Sequence, residues 1–307
     1  MDRIAAIDVL CVGSATYDLV YAVEHHPGPD EKIRAASFAG CGGGPAANAA
    51  VTVARLGLQA AFVGYLGRDM FGAAHIAELQ RAGVFTDRVA RGAFPSAVSA
   101  VMVKPDGSRA LVSHRNPESL LSPGALDFSG MKARVILFDG HEPSISPPLA
   151  RYARSRGIAT ILDAGSVHRG TAELADLVDY LVCSERFGLD FTGEARAERA
   201  LEKLASHAPN VIITRGEKGL LWKRGAESSR LPAYQVNTVD TTGAGDIFHG
   251  ALAACLARKK AWRKSLAYAS AAAALCCTKI GARPGIPSEE EVKNFLEERE
   301  KSLHSKS

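Results

Sequence analysis

Asp246 follows three small residues, Gly243, Ala244 and Gly245, and precedes an apolar segment with helical periodicity. Small residues at a helix start leave backbone N–H groups uncovered. These amides and the positive end of the helix dipole attract phosphate. A carboxylate beside bound phosphate is repelled by it, so Asp246 needs a chemical reason to be there, and accepting the proton of an attacking hydroxyl is such a reason. The segment therefore predicts phosphoryl transfer to an alcohol.

A first-turn aspartate that only stabilises its helix would give the same short pattern, so a second feature of the chain is needed. Residues 40–44 form another glycine-rich run, and Pro45 after it suits the first turn of a helix. Asn48 then lies one turn inside that helix, where its amide can hydrogen-bond a polyol. The run predicts a loop over which a sugar approaches the backbone.

Together, these segments resemble the two signatures of the ribokinase-like (pfkB) carbohydrate kinases, and the resemblance spans nearly the whole chain. The matching segments are residues 13–18, 43–48, 55–57, 67, 214–219, 240–253 and 281–285. The resemblance implies one kinase domain over residues 1–307. Its expected fold is a ribokinase-like three-layer α/β/α sandwich with a mostly parallel central sheet and a small β-sheet lid.

The resemblance also implies a role for each matched residue. Asp246 is the expected catalytic base, and the backbone amides of Gly243, Ala244 and Gly245 are expected to stabilise the transferring phosphoryl group. The expected sugar-binding residues are Asp18, Gly43, Gly44 and Asn48. The expected nucleotide-binding residues are Thr214, Gly216, Gly219 and Gly281.

Metal ions are implied as well: family members use ATP with Mg²⁺ and often bind K⁺. Backbone oxygens of residues 281–285, together with Asp240 and Thr242, are expected to enclose a potassium ion. Mg²⁺ would bridge phosphate oxygens and neutralise the charge that develops on them.

The expected Mg²⁺ contact departs from the family pattern. The family usually has Asn-x-x-Glu at this position to organise Mg²⁺ through water, but here Ser184 and Phe187 replace the asparagine and the glutamate. Glu185 is the nearest carboxylate. It either takes over this role or is an ordinary acidic residue at a helix start.

Several other polar residues lie where a ligand could reach them. Candidates for recognising a substrate substituent are Arg115, Asn116, His141 and Glu142, each also explained as a solvated or structural loop residue. Asp163 closes a predicted strand near the phosphates, and His249 is interpreted as a structural helix histidine.

Alternating strand and helix signals predict the elements that position these residues. Strands are expected at residues 7–13, 60–66, 133–138, 159–163, 180–183 and 211–214, and helices at 45–56, 71–82, 245–258, 262–277 and 288–301. This pattern is typical of a parallel sheet covered on both faces. Residues 18–38 and 97–114 interrupt it, and the turn at residues 105–107 predicts a hairpin, so these two segments are expected to form the lid.

Composition limits the partners. The net charge of +4 comes from 37 basic and 33 acidic residues scattered along the chain, which does not predict nucleic-acid binding. No apolar run approaches the length of a membrane span. Six cysteines without metal or disulfide spacing indicate the cytoplasm. A small lid sheet leaves edges and an apolar face uncovered, so we expect a homodimer formed through the lid.

The favoured function is ATP-dependent phosphorylation of a hydroxymethyl group on a ketohexose-type sugar, because residues 42–45, 248–252 and 283–287 look most like family members of that specificity, including the sulfofructose kinase group. A nucleoside or sugar acid would also fit. Two other classes stay open: a non-catalytic sugar- or nucleotide-binding protein, and an NAD-dependent oxidoreductase, since Gly42, Gly44 and Ala47 match a dinucleotide-binding spacing.

Overall fold

The computed structural model describes residues 7–128 and 130–304. The strands in these ranges are β1 (Ile7–Val12), β2 (Thr16–Ala22), β3 (Ser37–Gly43), β4 (Ala60–Gly67), β5 (Val89–Gly92), β6 (Ala97–Val103), β7 (Arg109–His114), β8 (Ala133–Phe138), β9 (Ala159–Ala164), β10 (Tyr180–Ser184), β11 (Asn210–Thr214), β12 (Leu220–Arg224) and β13 (Glu227–Leu231). The helices are α1 (Pro45–Arg55), α2 (Met70–Arg81), α3 (Ser146–Ser155), α4 (Arg169–Ala175), α5 (Glu185–Thr192), α6 (Ala197–Leu204), α7 (Ala244–Ala257), α8 (Trp262–Cys276), α9 (Ala282–Gly285) and α10 (Glu289–His304).

Nine strands form the central sheet, in the order β13-β12-β11-β10-β9-β8-β1-β4-β5. The strands from β11 to β5 pair in parallel, while β12 and β13 add antiparallel at one edge. β1 shows why the sheet needs helices on both sides: Val9 and Cys11 lie in one buried cluster, and Leu10 and Val12 lie in the other. Successive side chains of a strand point to opposite faces, and when both sets are apolar they favour a sheet with helices packed on both faces.

Two helical layers supply that cover. Residues of α1, α7, α8 and α10 share the cluster that contains Val9, and residues of α3 to α6 share the one that contains Leu10. The three-layer sandwich is therefore confirmed. The chain leaves β1 toward β4 on one side and later enters β8 on the other, so a crevice is expected beyond the carboxyl ends of β1 and β8.

The lid is a separate four-stranded sheet in the order β3-β2-β6-β7. Its first segment is wider than the expected residues 18–38, because β2 begins at Thr16 and β3 continues to Gly43. The predicted hairpin at residues 97–114 is confirmed as β6 and β7. The sequence patterns missed α9, which is a single turn, the edge strands β5 and β13, and β12, which lies next to β13. No helix within the described ranges has both the length and the apolar character needed to cross a bilayer.

Candidate active site

Asp139, directly after β8, joins the central sheet to the loop that is expected to bind the sugar. Its carboxylate is buried and accepts hydrogen bonds from the backbone amides of Ser14 (2.7 Å), Ala46 (3.2 Å) and His141 (2.9 Å). A side chain at Gly13 would overlap this carboxylate. Asp139 therefore fixes both the turn after β1 and the start of α1.

Helices α1 and α7 bring Asn48 and Asp246 together. They approach closely at Gly250, where a Cβ would lie 2.7 Å from the carbonyl oxygen of Ala49. Asn48 Nδ2 donates a 2.7 Å hydrogen bond to Asp246 Oδ2. Burial, and next the charge of Asp163, raise the pKa of Asp246 to about 7, although the hydrogen bond from Asn48 opposes the shift. The carboxylate expected to be the base thus titrates near neutral pH.

The start of α7 depends on Gly243. This residue caps the helix in the left-handed region, with φ 78°, and a Cβ here would lie 2.5 Å from Cβ of Ala282. Gly245 has no such restriction: its Cβ would point into open space. The amide of Ala244 departs from the expectation, since it donates to the carbonyl of Thr241 at 3.2 Å. Of the first-turn amides, those of Gly245 and Asp246 have no backbone partner among the described residues.

Asp18 lies on β2 in register with Cys41 of β3 and Ser99 of β6, so these three side chains share one face of the lid. Glycine is required at position 43, because a Cβ there would overlap the Asp18 carboxylate. Burial, and next the charge of Asp246, raise the pKa of Asp18 to about 6. The lid strand thus carries a second carboxylate to within electrostatic reach of Asp246.

Gly44 has φ 91°, and a Cβ there would lie 2.6 Å from the carbonyl oxygen of Ser14. The expected sugar-binding residues Asp18, Gly43, Gly44 and Asn48 are therefore assembled beside Asp246. The strand that leads into this glycine run is β3, which pairs antiparallel with β2 in the lid. A dinucleotide fingerprint needs a strand of a parallel βαβ unit at that point, so the oxidoreductase alternative loses its structural basis.

A cavity of about 530 Å³ opens on the other side of the α7 N-terminus. Thr214, Gly216 and Gly219 line it together with Ala244 and Gly245. The remaining walls are mostly apolar and come from the segment after β13 and from α8: Ala233, Tyr234, Val236, Ala273, Ala274 and Cys277. A mostly apolar cavity next to unpaired amides suits an adenine base and its phosphates. Gly281 is not among the lining residues.

Gly281 instead binds Asp240. Asp240 Oδ2 accepts from the Gly281 amide at 2.8 Å, and Oδ1 accepts from the amide (2.9 Å) and the hydroxyl (2.6 Å) of Thr242. The carboxylate is buried and forms no ion pair within residues 7–128 and 130–304. A buried carboxylate without an ion pair fits a monovalent cation, although Arg109 Nη1 donates to the hydroxyl of Thr242 at 2.6 Å. The described residues contain no group of three acidic, histidine or cysteine side chains suited to a metal ion.

Glu185 is held in an ion pair. Arg215 Nε lies 2.9 Å from Glu185 Oε1. Ser184 caps α5 by accepting from the amide of Phe187, and Phe187 is fully buried in the core. The two positions that usually organise Mg²⁺ are thus structural in this chain. Only Glu185 Oε2 is left to meet a metal-bound water.

Other polar candidates are engaged within the protein. Arg115 Nη2 donates to Glu142 Oε1 at 2.6 Å, and burial raises the pKa of Glu142 to about 7. Asn116 caps the turn at Pro117–Ser119. His249 Nδ1 lies 2.6 Å from the carbonyl oxygen of Gly245 and its Nε2 lies 3.2 Å from that of Val182, and a neutral ring donates to one of the two. Asp163 Oδ2 lies 3.3 Å from His249 Nδ1, and burial raises the pKa of Asp163 to about 8.

Sequence reasoning assigned no role to Arg283, His75 and Glu78, which meet behind Asn48. Arg283 Nε donates to Asn48 Oδ1 at 2.6 Å, and its Nη2 lies 2.9 Å from His75 Nε2. Two signals were present: an arginine within the matched segment 281–285, and two polar residues one turn apart on α2. Neither signal indicates a partner until the chain is folded.

Known proteins resemble this chain over most of its length. The profile of the pfkB family carbohydrate kinases matches residues 6–289. Ribokinase of Bacillus subtilis is 30% identical over 293 residues, covering 94% of this chain and 99% of that protein. A probable fructokinase-4 of Arabidopsis thaliana is 30% identical over 83% of this chain and 87% of its own length.

The fold agrees with that relationship. The structure of Arabidopsis thaliana ribokinase complexed with ribose and ATP superimposes with a TM-score of 0.84 at 28% identity, covering 95% of this chain and 99% of the other. Relatives, profile and fold all indicate the same family. The chain therefore belongs to the pfkB family of carbohydrate kinases and is an ATP-dependent sugar kinase.

Proposed function

We propose that this kinase transfers the γ-phosphoryl group of ATP in line to a hydroxymethyl group of a ketohexose-type sugar, with Asp246 as the base. The observation that carries the proposal is the position of Asp246. Its carboxylate faces Asn48 on the sugar side, and the unpaired amide of Gly245 borders the cavity on the nucleotide side. A base between the two ligands can take the proton of the attacking hydroxyl while the amides stabilise the phosphoryl charge.

The nucleotide lies, in this proposal, in the 530 Å³ cavity, with Thr214, Gly216 and Gly219 near its phosphates. Mg²⁺ neutralises phosphate charge when it is bound. The described part of the chain contains no group of three acidic, histidine or cysteine side chains, so Glu185 would be the residue that holds this ion, through water. A potassium ion beside Asp240 would balance a buried carboxylate that otherwise has only hydrogen bonds.

Asp18 and Asn48 bind the sugar. A carboxylate can accept hydrogen bonds from two neighbouring hydroxyls, which suits Asp18 on the lid. The fructokinase relative supports a ketohexose. Ribose is the second candidate, favoured by the relationship to ribokinase of Bacillus subtilis and by the ribose bound to the Arabidopsis protein. Both sugars present a primary alcohol to the base.

The test is ATP consumption with purified enzyme over ketohexoses, aldopentoses, nucleosides and sugar acids, with the phosphorylated carbon identified by NMR. Deoxy analogues that lack the hydroxymethyl oxygen serve as matched controls. We expect the highest kcat/KM with a ketohexose and no turnover with its deoxy analogue. Turnover restricted to a nucleoside or a sugar acid would contradict the proposed substrate class but not the kinase chemistry.

The lid also forms a homodimer in this proposal. Strand register places Phe38, Tyr21 and Val112 on the lid face opposite Asp18, and Phe38 and Val112 are 59% and 68% exposed. The edge strands β3 and β7 each have one neighbour. A second copy would cover both the apolar face and an edge. Sedimentation of the wild type and of Phe38→Ser at micromolar concentration tests this, and a wild-type monomer contradicts it.

We also assign the enzyme to the cytoplasm. All six cysteines are free thiols, in agreement with a reducing compartment. Fractionation of the source cells tests the assignment.

A further inference from the structure

Arg283 is a buried cation at the back of the sugar-binding residues. It is 9% exposed and lies in α9, whose single turn places it against α1 and α2. Its Nε donates to Asn48 Oδ1, its Nη2 to His75 Nε2, and its Nη1 lies 3.9 Å from Glu78 Oε2. A buried guanidinium is destabilising unless several partners compensate it, so Arg283 depends on these three contacts.

The guanidinium decides how the Asn48 amide is turned. Arginine nitrogens only donate hydrogen bonds, so the atom facing Arg283 Nε must be the amide oxygen. The amide NH₂ group is then left to face Asp246, to which it donates at 2.7 Å. With the amide reversed, its oxygen would meet a carboxylate and its NH₂ group would meet a guanidinium. Both contacts would be repulsive.

Helix α2 holds the other side of the guanidinium. His75 Nε2 must accept from Arg283, which places the ring proton on Nδ1 and keeps the ring neutral. Burial, and next the charge of Arg283, lower the pKa of His75 well below its usual value. Glu78 also accepts from the Gly42 amide of the lid strand at 2.8 Å. The guanidinium is therefore fixed from α2 and cannot turn away from Asn48.

We propose that Arg283 is a positioning residue for phosphoryl transfer: it fixes the Asn48 amide so that the NH₂ group stabilises the ionised carboxylate of Asp246. The proposal rests on the proposed role of Asp246 as the base. Arg283 acts through Asn48 and touches neither substrate.

Several charged or titratable groups share this environment. Those that face Asp246 are Asp163 of β9, Asp139 after β8, Asp18 of the lid, His249 of α7, Cys276 of α8 and Arg283 of α9. Three of the six are carboxyl groups, which oppose ionisation of Asp246. Without Arg283, the Asn48 amide can rotate and the cationic group next to it is lost. Ionisation of the base then requires a higher pH.

The experiment measures kcat, KM for ATP and the pH dependence of kcat for Arg283→Met and Arg283→Lys. Lysine keeps the charge but cannot replace Nε and Nη2 together. We expect both variants to lose about 10- to 100-fold in kcat, the effect of losing a hydrogen bond to a charged group. KM for ATP should stay within about twofold. The acidic limb of the kcat profile should move to higher pH in Arg283→Met.

The route through Asn48 has its own test. If Arg283 acts through this amide, Arg283→Met combined with Asn48→Ala should lose no more kcat than Asn48→Ala alone. If the kcat losses of the two single variants multiply in the double variant, the proposal is overturned. Arg258→Met is the matched control, since Arg258 donates to the Leu56 carbonyl and pairs with Glu289 at the far end of α7. It should lower Tm without moving the pH profile.

Failure of this proposal is distinct from failure of the proposed function. Should Asp246→Asn abolish turnover while both Arg283 variants keep wild-type kcat and pH profile, only the role of Arg283 is refuted. If Arg283→Met does not fold, Arg283→Lys decides by its kcat and its cycle with Asn48→Ala, because it retains the buried charge. The same profile shift in Arg258→Met would also refute the role.

Discussion

The Asn48 amide donates a 2.7 Å hydrogen bond to the Asp246 carboxylate, although 198 positions of sequence separate the two residues. Asn48 belongs to the first glycine-rich segment and Asp246 to the second. The bond exists because α1 and α7 pack against each other on the same face of the central sheet, with Gly250 at their crossing. It joins the residue expected to bind sugar to the residue expected to take its proton.

Asp246→Asn should reduce kcat by about 10²- to 10⁴-fold, the usual effect of removing a positioned base. The amide keeps nearly the size of the carboxylate and can still accept from Asn48, so the fold and ATP affinity should be retained. Steady-state kinetics and ATP binding by calorimetry test this. Near wild-type turnover on the best substrate would rule out Asp246 as the base.

The same substitution should stabilise the fold in a pH-dependent manner. The folded-state pKa of Asp246 is raised from 3.8 to about 7, so the stability associated with its protonated form is present below pH 3.8 and is lost as pH rises to about 7. The asparagine of the variant does not ionise. The Tm difference between the variant and the wild type should therefore be positive and larger at pH 8 than at pH 5. Asp106→Asn is a control in which the Tm difference has the opposite sign. Hydrogen bonds from Ser108 lower the pKa of Asp106 to about 2, so this substitution should lower Tm rather than raise it.

Gly245→Val should reduce turnover more than it weakens sugar binding. A Cβ here would have no neighbouring atom within 4 Å, and a valine side chain would extend into the space proposed for the phosphoryl group. Sugar contacts lie on other loops. Kinetics and sugar titration of Gly245→Val, with Gly245→Ala as the smaller control, measure both effects. Equal losses in sugar affinity and kcat, with an unchanged Tm, would contradict this separation.

Gly243 and Gly245 should differ in what they contribute to folding. Gly243→Ala forces a Cβ into the left-handed region at φ 78° and against Ala282, and should destabilise by about 1–3 kcal/mol. Gly245→Ala has open space and a helical position, so it should be neutral or slightly stabilising. Urea unfolding of both variants compares them directly. Similar free energies of unfolding would show that the positive φ is not required.

The lid should move toward the central sheet when sugar binds, because phosphoryl transfer must exclude water to avoid ATP hydrolysis. Hydrogen exchange with and without saturating sugar should show added protection in β2, β3, β6 and β7. Residues of β9 and β11 in the central sheet provide the internal control, with unchanged protection. The lid hypothesis fails if the lid strands exchange at the same rate in both states.

The sequence alone determined the fold class, the order of most elements and the two glycine-rich segments, because those depend on local patterns. Alternating strand and helix signals predicted the parallel strands, and small residues before apolar periodicity predicted helix starts at residues 45 and 245, where the structure has Pro45 and Ala244. Asp246 and Asn48 could be found because their neighbours in sequence restrict what they do. The short strands β5, β12 and β13 and the single turn of α9 were not predicted, since they contain too few residues to show a period.

Tertiary structure decided which partners each side chain has. Glu185 was the candidate Mg²⁺ contact, yet it pairs with Arg215, whose position depends on β11 lying beside β10, while Ser184 caps a helix. The amide of Ala244 donates to the carbonyl of Thr241, and the position that requires glycine is 243 rather than 245. Arg283 faces Asn48 across 235 positions. Hydrogen bonds and charge compensation act through space, so no local pattern records them.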